Sequence, residues 1–525
     1  MKKSAFFETR YGLQVKEVGF MRTILILFDS LNRMAMHCYG GTEIATPNFD
    51  RFAKRGLTFK KHFVGSLPCM PARRDLHSGR LNFTHRSWGP LEPFDNSFVQ
   101  ILKDNGIHTH LVSDHLHYFE DGGSGFHTRF NTFDFIRGQE YDPWIAMVEP
   151  PIERYREIYS EKHHSFDKKG KRLQHLVNRE SFLDEKDFPG PKCFSAAFDF
   201  LDRNQKAEDW FLMLECFDPH EPFHAPDRFK EAYDIGYESK ILDWPHYERV
   251  TESEQEMKEI RANYCSLVAM CDDYFGRFLD YVDRHEMWKD TAIILTTDHG
   301  FLLGEHEWWG KCRMPYYEEI SHIPMIFYDP RNPDSANEST EAITQTGDLM
   351  PTILKLNDQV IPSEVLAYDL QPILQNPKIK GRNFAVFGVF GGPIGVSDGT
   401  YVLYYYPPDI EKTGLREYTL MPSHMTGYFT SDELRTAELF KGFDFTKGIP
   451  VLSIAATKDA KRVPNNDGLN FDDLGTRLFN ISTDPKQSQP IFDPKISDYL
   501  IEGLKLVLKS HDTPLEVWDW YGLSD

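Results

Sequence analysis

Two continuous apolar runs, Ile24-Leu25-Ile26-Leu27-Phe28 and Ala292-Ile293-Ile294-Leu295-Thr296-Thr297, set the frame for this chain. Each is short and free of polar alternation, as a strand buried on both faces should be. From Thr23 onward such runs alternate with helix-like periods, the pattern of βαβ units in an α/β fold. Both runs end in a carboxylate, Asp29 after the first and Asp298, in Asp298-His299-Gly300, after the second. Open α/β sheets place ligand sites beyond the carboxyl ends of their strands. Two ends carrying Asp and Asp-His can therefore converge on one divalent cation with oxygen and imidazole ligands. An aspartate after a strand is also an ordinary cap or turn residue, so the weight lies in the coincidence of segments.

A third segment, Cys69-Met70-Pro71-Ala72-Arg73 followed by Ser78-Gly79, has the spacing Cys-x-Pro-x-Arg. Pro71 suits the first turn of a helix, where its missing N–H leaves nothing unpaired. Cys69 then stands at a helix N-terminus, where free amides and the dipole favour an anion. Arg73 lies four residues on and projects from the same face. A nucleophile beside a cation at a helix start is what an oxyanion substrate requires.

The chain of 525 residues is long enough for a large domain with a smaller partner. Its 40% hydrophobic and 14% aromatic content predicts a well-buried globular protein. A net charge of −21 argues against nucleic acid or an anionic membrane surface as partner. It also means that an anionic substrate must be drawn in by a local cluster of Arg, Lys and His. No apolar run approaches the ~18 residues of a membrane span, and the N-terminus has no apolar signal-peptide core. Seven cysteines lack metal-finger or disulfide-rich spacing. Together these features predict a cytoplasmic protein.

Further segments join these. Phe217-Asp218-Pro219-His220-Glu221-Pro222 lies between the two strands; Gly304-Glu305-His306 and Trp309-Gly310-Lys311 follow Asp298. Thr46-Pro47-Asn48-Phe49-Asp50, Asp348-Leu349-Met350-Pro351-Thr352 and Leu478-Phe479-Asn480 with Thr483-Asp484-Pro485 complete the set. In this order and over most of the chain they resemble the sulfatase family of the alkaline phosphatase superfamily. The resemblance implies a large, mostly parallel α/β sheet flanked by helices and a smaller C-terminal antiparallel sheet with a packed helix. Residues 21–375 are accordingly read as the catalytic domain and 376–525 as the smaller α+β domain. Residues 1–20 are read as a disordered or non-native extension. Lys16-Glu17-Val18 can be encoded by AAGGAGGT, a ribosome-binding sequence shortly before Met21, the expected start.

By the same resemblance, Cys69 is oxidised to formylglycine by a formylglycine-generating or anaerobic sulfatase-maturing enzyme. Asp29, Asp298, His299 and the modified Cys69 then hold one Ca²⁺ or Mg²⁺. One hydroxyl of the hydrated aldehyde attacks sulfur and expels the alcohol, and the second releases sulfate. Arg73 stabilises the hydrate, Lys311 clamps sulfate, and His220 protonates the leaving oxygen. His117 fits the histidine of a family Lys-x-x-His segment. His115 and His306 are candidate substrate contacts, with His424 and Arg80 as further near-site residues. Trp88, Trp144, Trp308 and Trp309 suit stacking on sugar rings.

The chain departs from the family pattern twice. Ser30 follows Asp29 where many sulfatases have a second aspartate, and Asp114 occupies the place of the family lysine. The expected activity is hydrolysis of a sulfate ester, most simply on a small sulfated carbohydrate. Phosphonate monoester or phosphodiester hydrolysis with the same nucleophile is the alternative, and a non-catalytic sulfated-sugar-binding protein a third reading.

The elements are read as follows. Thr46 caps a helix that starts at Pro47, Ser97–Asn105 is a helix, and 253–285 is a long helix. Ile107–Val112, Trp210–Phe217 and 291–297 are strands. Residues 138–190 are an aperiodic excursion over the active-site face. Phe384–Val396 and Gly399–Tyr406 hold antiparallel strands, and 494–510 is a closing helix.

Overall fold

The computed structural model describes residues 21–168, 170–312, 315–410, 412–457 and 475–523. The expected N-terminal extension, 1–20, lies outside the described residues. The first strands are β1 (Arg22–Phe28), β2 (Leu57–Phe63), β3 (His108–Ser113), β4 (Thr132–Phe135) and β5 (Trp210–Cys216). They are followed by β6 (Thr291–Thr296), the short hairpin β7 (Leu302–Leu303) and β8 (Trp309–Gly310), β9 (His322–Tyr328) and β10 (Ser339–Gln345). Eight of these form one sheet in the order β10-β2-β9-β6-β1-β5-β3-β4. Only β9 runs against the rest, antiparallel to β2 and β6.

The alternation of side chains along β1 explains why its sequence is apolar throughout. Ile24, Ile26 and Phe28 pack on one face with the helices Pro189–Arg203 and Glu254–Arg284. Leu25 and Leu27 pack on the other, with residues of α2 (Cys69–Ser78), α3 (Phe98–Asp104) and the helix Leu349–Leu356. A strand covered on both faces has no solvent side on which to place polar residues.

The long helix Glu254–Arg284 starts with a capping box. Ser253 Oγ accepts from Glu256 N–H, and the Glu256 carboxylate accepts from Ser253 N–H. The earlier helix α1 (Pro47–Ala53) departs from expectation, because Thr46 does not cap it. Thr46 Oγ1 accepts instead from His37 N–H at 2.9 Å, while the Asp272 carboxylate accepts from the amides of Asn48 and Phe49 at 3.1 and 2.8 Å. A full negative charge is the better partner for a helix N-terminus, and here it comes from the neighbouring helix.

Residues 138–190 are more ordered than their composition suggested. Leu173, Leu176 and Val177, at helical spacing on Lys171–Arg179, form a small core with Tyr155 and Tyr159.

The C-terminal part builds a four-stranded antiparallel sheet from β11 (Ala385–Gly388), β12 (Ile394–Ser397), β13 (Tyr401–Tyr405) and Arg477–Asn480. Helix Pro494–Ser510 covers one face, with Leu500, Leu504 and Leu508 beside Val386, Ile394 and Val396. The other face packs Phe387, Val402 and Tyr404 against Phe63, Val64 and Leu67. Gly388 also exchanges backbone hydrogen bonds with the chain just before Cys69: Leu67 N–H to Gly388 O at 2.9 Å, and Gly388 N–H to Gly65 O at 3.1 Å. Among the described residues, no helix is long and apolar enough to cross a membrane.

Candidate active site

β6, β1, β5 and β3 are parallel neighbours, so their carboxyl ends face one region. Asp29 follows β1, Asp298 and His299 follow β6, and Cys69 opens α2. One ligand atom from each of these four buried residues lies within 4.8 Å of the others. Cys69 Sγ is 3.3 Å from His299 Nε2. The turn after Asp298 requires glycine: a Cβ on Gly300 would meet the Glu319 carbonyl oxygen at 1.8 Å. Nothing larger than hydrogen fits between these backbones.

Arg73 lies beneath this group, fully buried. Its Nη1 donates to Cys69 O at 2.9 Å and to Asp298 Oδ2 at 2.6 Å, and its Nη2 donates to Asp29 Oδ2 at 2.9 Å. Its Nε donates to Glu215 Oε1 at 2.6 Å, and Glu215 also accepts from Tyr118 O–H. Glu215 was not anticipated from the sequence. Its signal is a lone carboxylate near the end of the apolar strand Trp210-Phe211-Leu212-Met213-Leu214.

Ser30 has φ of +62°, in the left-handed region. That conformation sends its Oγ to Asp29 Oδ1 (2.8 Å) and its N–H to Asp298 Oδ1 (3.2 Å). Lys311, directly after β8, donates to Ser30 Oγ at 3.0 Å and lies 3.6 Å from Cys69 Sγ and 3.7 Å from Asp29 Oδ1. Where a second aspartate would add charge, Ser30 relays between the lysine and the first.

The electrostatics follow from burial and these partners. Desolvation opposes ionisation of Asp29, but Lys311 and Arg73 hold its pKa well below the usual carboxylate range. Burial and neighbouring Asp29 push the Cys69 thiol well up, so the unmodified side chain is a thiol and a poor nucleophile. Burial and Lys311 depress His220 well below the usual imidazole value.

His115 rather than Asp114 faces the carboxylates, with Nε2 3.2 Å from Asp29 Oδ2. Asp114 turns away and accepts from Phe217 N–H and from the Gln139 side chain. His115, the next residue along, takes the side that faces Asp29. His117 contacts Glu120 through Nδ1 (2.5 Å) and lies 3.5 Å from Glu140 Oε2. His220 donates from Nδ1 to Glu221 O at 2.5 Å, which leaves Nε2 for a ligand. Glu140, His220 and Glu221 form a second buried group with ligand atoms within 4.8 Å of one another, which the sequence did not disclose.

Three expected site residues go elsewhere. His306 stacks on Tyr317 with ring centroids 3.6 Å apart and faces Glu319. His424 pairs with Glu433, and Arg80 with Glu364 O and Asp512. Of the four tryptophans, Trp88, Trp308 and Trp309 are buried in the fold, and Trp144 packs beside Phe182. Trp308 and Trp309 are core aromatics, Trp144 is half-buried, and the Trp88 ring stands 5.0 Å from that of His117.

This sheet, with a buried Asp/Cys/Asp-His group at its carboxyl edge, defines an alkaline phosphatase-like hydrolase. The sulfatase family model matches residues 22–358, and the chain belongs to the sulfatase family, a sulfuric ester hydrolase. It is 27% identical over 377 residues to the multifunctional alkaline phosphatase superfamily protein PehA of Trinickia caryophylli, covering 64% of this chain and 72% of that protein. It is 24% identical over 412 residues to an N-acetylglucosamine-6-O-sulfatase of Bacteroides thetaiotaomicron, covering 69% and 72%. The fold is also that of a phosphonate monoester hydrolase of Agrobacterium radiobacter, with a TM-score of 0.60, 16% identity and coverage of 93% and 95%.

Proposed function

We propose that this protein hydrolyses a sulfate ester on a small carbohydrate, using formylglycine derived from Cys69 and one divalent cation, Ca²⁺ or Mg²⁺. The observation that carries this reading is the convergence of Asp29, Cys69, Asp298 and His299. The donor set fits such a cation through its oxygens: the two carboxylates suit a hard metal, the His299 imidazole is a borderline donor, and a soft thiolate at Cys69 does not suit it, whereas an oxygen group in its place would. The metal and the modified residue would supply neutralisation of sulfate oxygens and a hydrated-aldehyde nucleophile. A maturing enzyme is the partner this requires.

The remaining chemistry belongs to the chain's own residues. Arg73 fixes Asp29 and Asp298 in place and pins the carbonyl of residue 69. Lys311 directs an ammonium toward the sulfur side of Cys69, where sulfate oxygens gather. His220, held by Glu221 O, offers Nε2 to the leaving oxygen. His115 adds an imidazole beside Asp29 where the family lysine is absent.

The sugar assignment draws on the N-acetylglucosamine-6-O-sulfatase relative. The second reading, hydrolysis of phosphonate monoesters or phosphodiesters, is favoured by Ser30 in place of a second aspartate and by the likeness to the phosphonate hydrolase fold. A panel of sulfated monosaccharides, phosphonate monoesters and phosphodiesters separates them. A sugar sulfate should exceed every phosphorus ester in kcat/KM by at least tenfold, about 1.4 kcal/mol. Preference for a phosphonate ester over all sulfates would transfer the function to the second reading.

A further inference from the structure

Glu140 and Glu221 are buried carboxylates beside His220, on the side where the leaving alcohol departs under the proposed reaction. Neither is satisfied. Glu221 Oε1 accepts from Tyr247 O–H at 2.5 Å, but Glu221 Oε2 has no hydrogen-bond partner. The nearest donor, His220 Nδ1, already donates to Glu221 O. Glu140 Oε2 is likewise without a partner, with His117 Nε2 3.5 Å away. Buried carboxylate oxygens left unpaired are costly and are normally matched by a cation or donors.

The local charges are allotted elsewhere. Arg73, Lys311 and a divalent cation together match Asp29, Asp298, Glu215 and a sulfate monoanion. Glu140 and Glu221 are then carboxylates with no lysine or arginine in ion-pair contact among the described residues, and Lys311 and Arg172 act on them only from farther off. Burial, with Glu221 beside it, pushes the Glu140 carboxyl well up, and Lys311 opposes that shift.

We propose that Glu140 and Glu221 bind an ammonium group on the alcohol half of the substrate, so that the preferred substrate is the sulfate ester of an amino alcohol or a free-amine sugar. This rests on the sulfatase reading above and narrows it. Each carboxylate offers one free oxygen, and an ammonium with several N–H donors pairs with two such acceptors. A second divalent cation fits less well. It needs about six ligands where three groups are offered. It would also occupy His220, the group assigned to the leaving oxygen.

The test compares matched pairs on the metal-loaded enzyme: 2-aminoethyl sulfate with propyl sulfate, and glucosamine 6-sulfate with glucose 6-sulfate. The wild type should prefer the amine by at least tenfold in kcat/KM in at least one pair, with the difference mostly in KM. Glu140→Gln and Glu221→Gln should each bring that ratio toward one. A preference below tenfold in both pairs overturns the proposal, as does a ratio that both variants leave unchanged. Should a variant fail to fold, the wild-type ratios still decide. Elemental analysis finding two divalent cations per chain, and one in Glu140→Gln, would overturn it in favour of a metal. Equal turnover within both pairs would sink this proposal alone, whereas inactivity on every sulfate would sink the sulfatase reading.

Discussion

Arg73, fully buried, makes hydrogen bonds to three carboxylates and one carbonyl. The motif spacing showed that an arginine would stand by Cys69, but not its partner Glu215. A single glutamate in an apolar strand cannot be distinguished in sequence from one that points to solvent at a strand end. Asp114, at the lysine position by spacing, turns to Phe217 N–H, while the turn after β3 brings His115 beside Asp29. Among the ligands, Asp298→Asn removes one charge and should lose bound divalent metal together with activity. Undiminished metal by elemental analysis would contradict the assignment. His220 acts as an acid only when protonated, and burial with Lys311 holds its pKa well below 6.5. On alkyl sulfates kcat/KM should therefore fall as pH rises through a window below 6.5, whereas nitrophenyl sulfate, with a leaving group needing little protonation, should show little slope. His220→Ala should hurt alkyl sulfates far more than nitrophenyl sulfate. Equal losses on both would make His220 a positioning residue.

Elements dictated by local pattern were legible in the sequence: β1, β6 and the helix Glu254–Arg284 fall within a residue or two of where the apolar runs and helical periodicity placed them. Elements completed by distant groups were not. The N-terminus of α1 is satisfied by Asp272, more than two hundred residues away, and no local rule reports such a partner. Asp272→Ala should therefore destabilise the fold by about 1–2 kcal/mol through loss of the cap. It should lower Tm while leaving activity per folded molecule near that of the wild type. An unchanged Tm would show that water caps α1 equally well.

At the scale of the whole molecule, the C-terminal sheet does more than cover one end of the chain. Its strand β11 clamps Gly65 and Leu67, so the loop that delivers Cys69 is held by residues more than three hundred positions later. The α/β class and the strand-end placement of Asp29 and Asp298 were readable because buried parallel strands leave continuous apolar runs ending at ligand sites. The clamp was not, because it is made by backbone atoms alone, at Gly388. The central claim concerns the chemical state of the residue that this arrangement presents. Peptide mapping of turnover-competent protein should find residue 69 about 18 Da lighter than cysteine, as formylglycine. Cys69→Ala should fold and be inactive. Full sulfate-ester turnover by protein whose residue 69 is entirely unmodified cysteine, or by Cys69→Ala, would contradict the account.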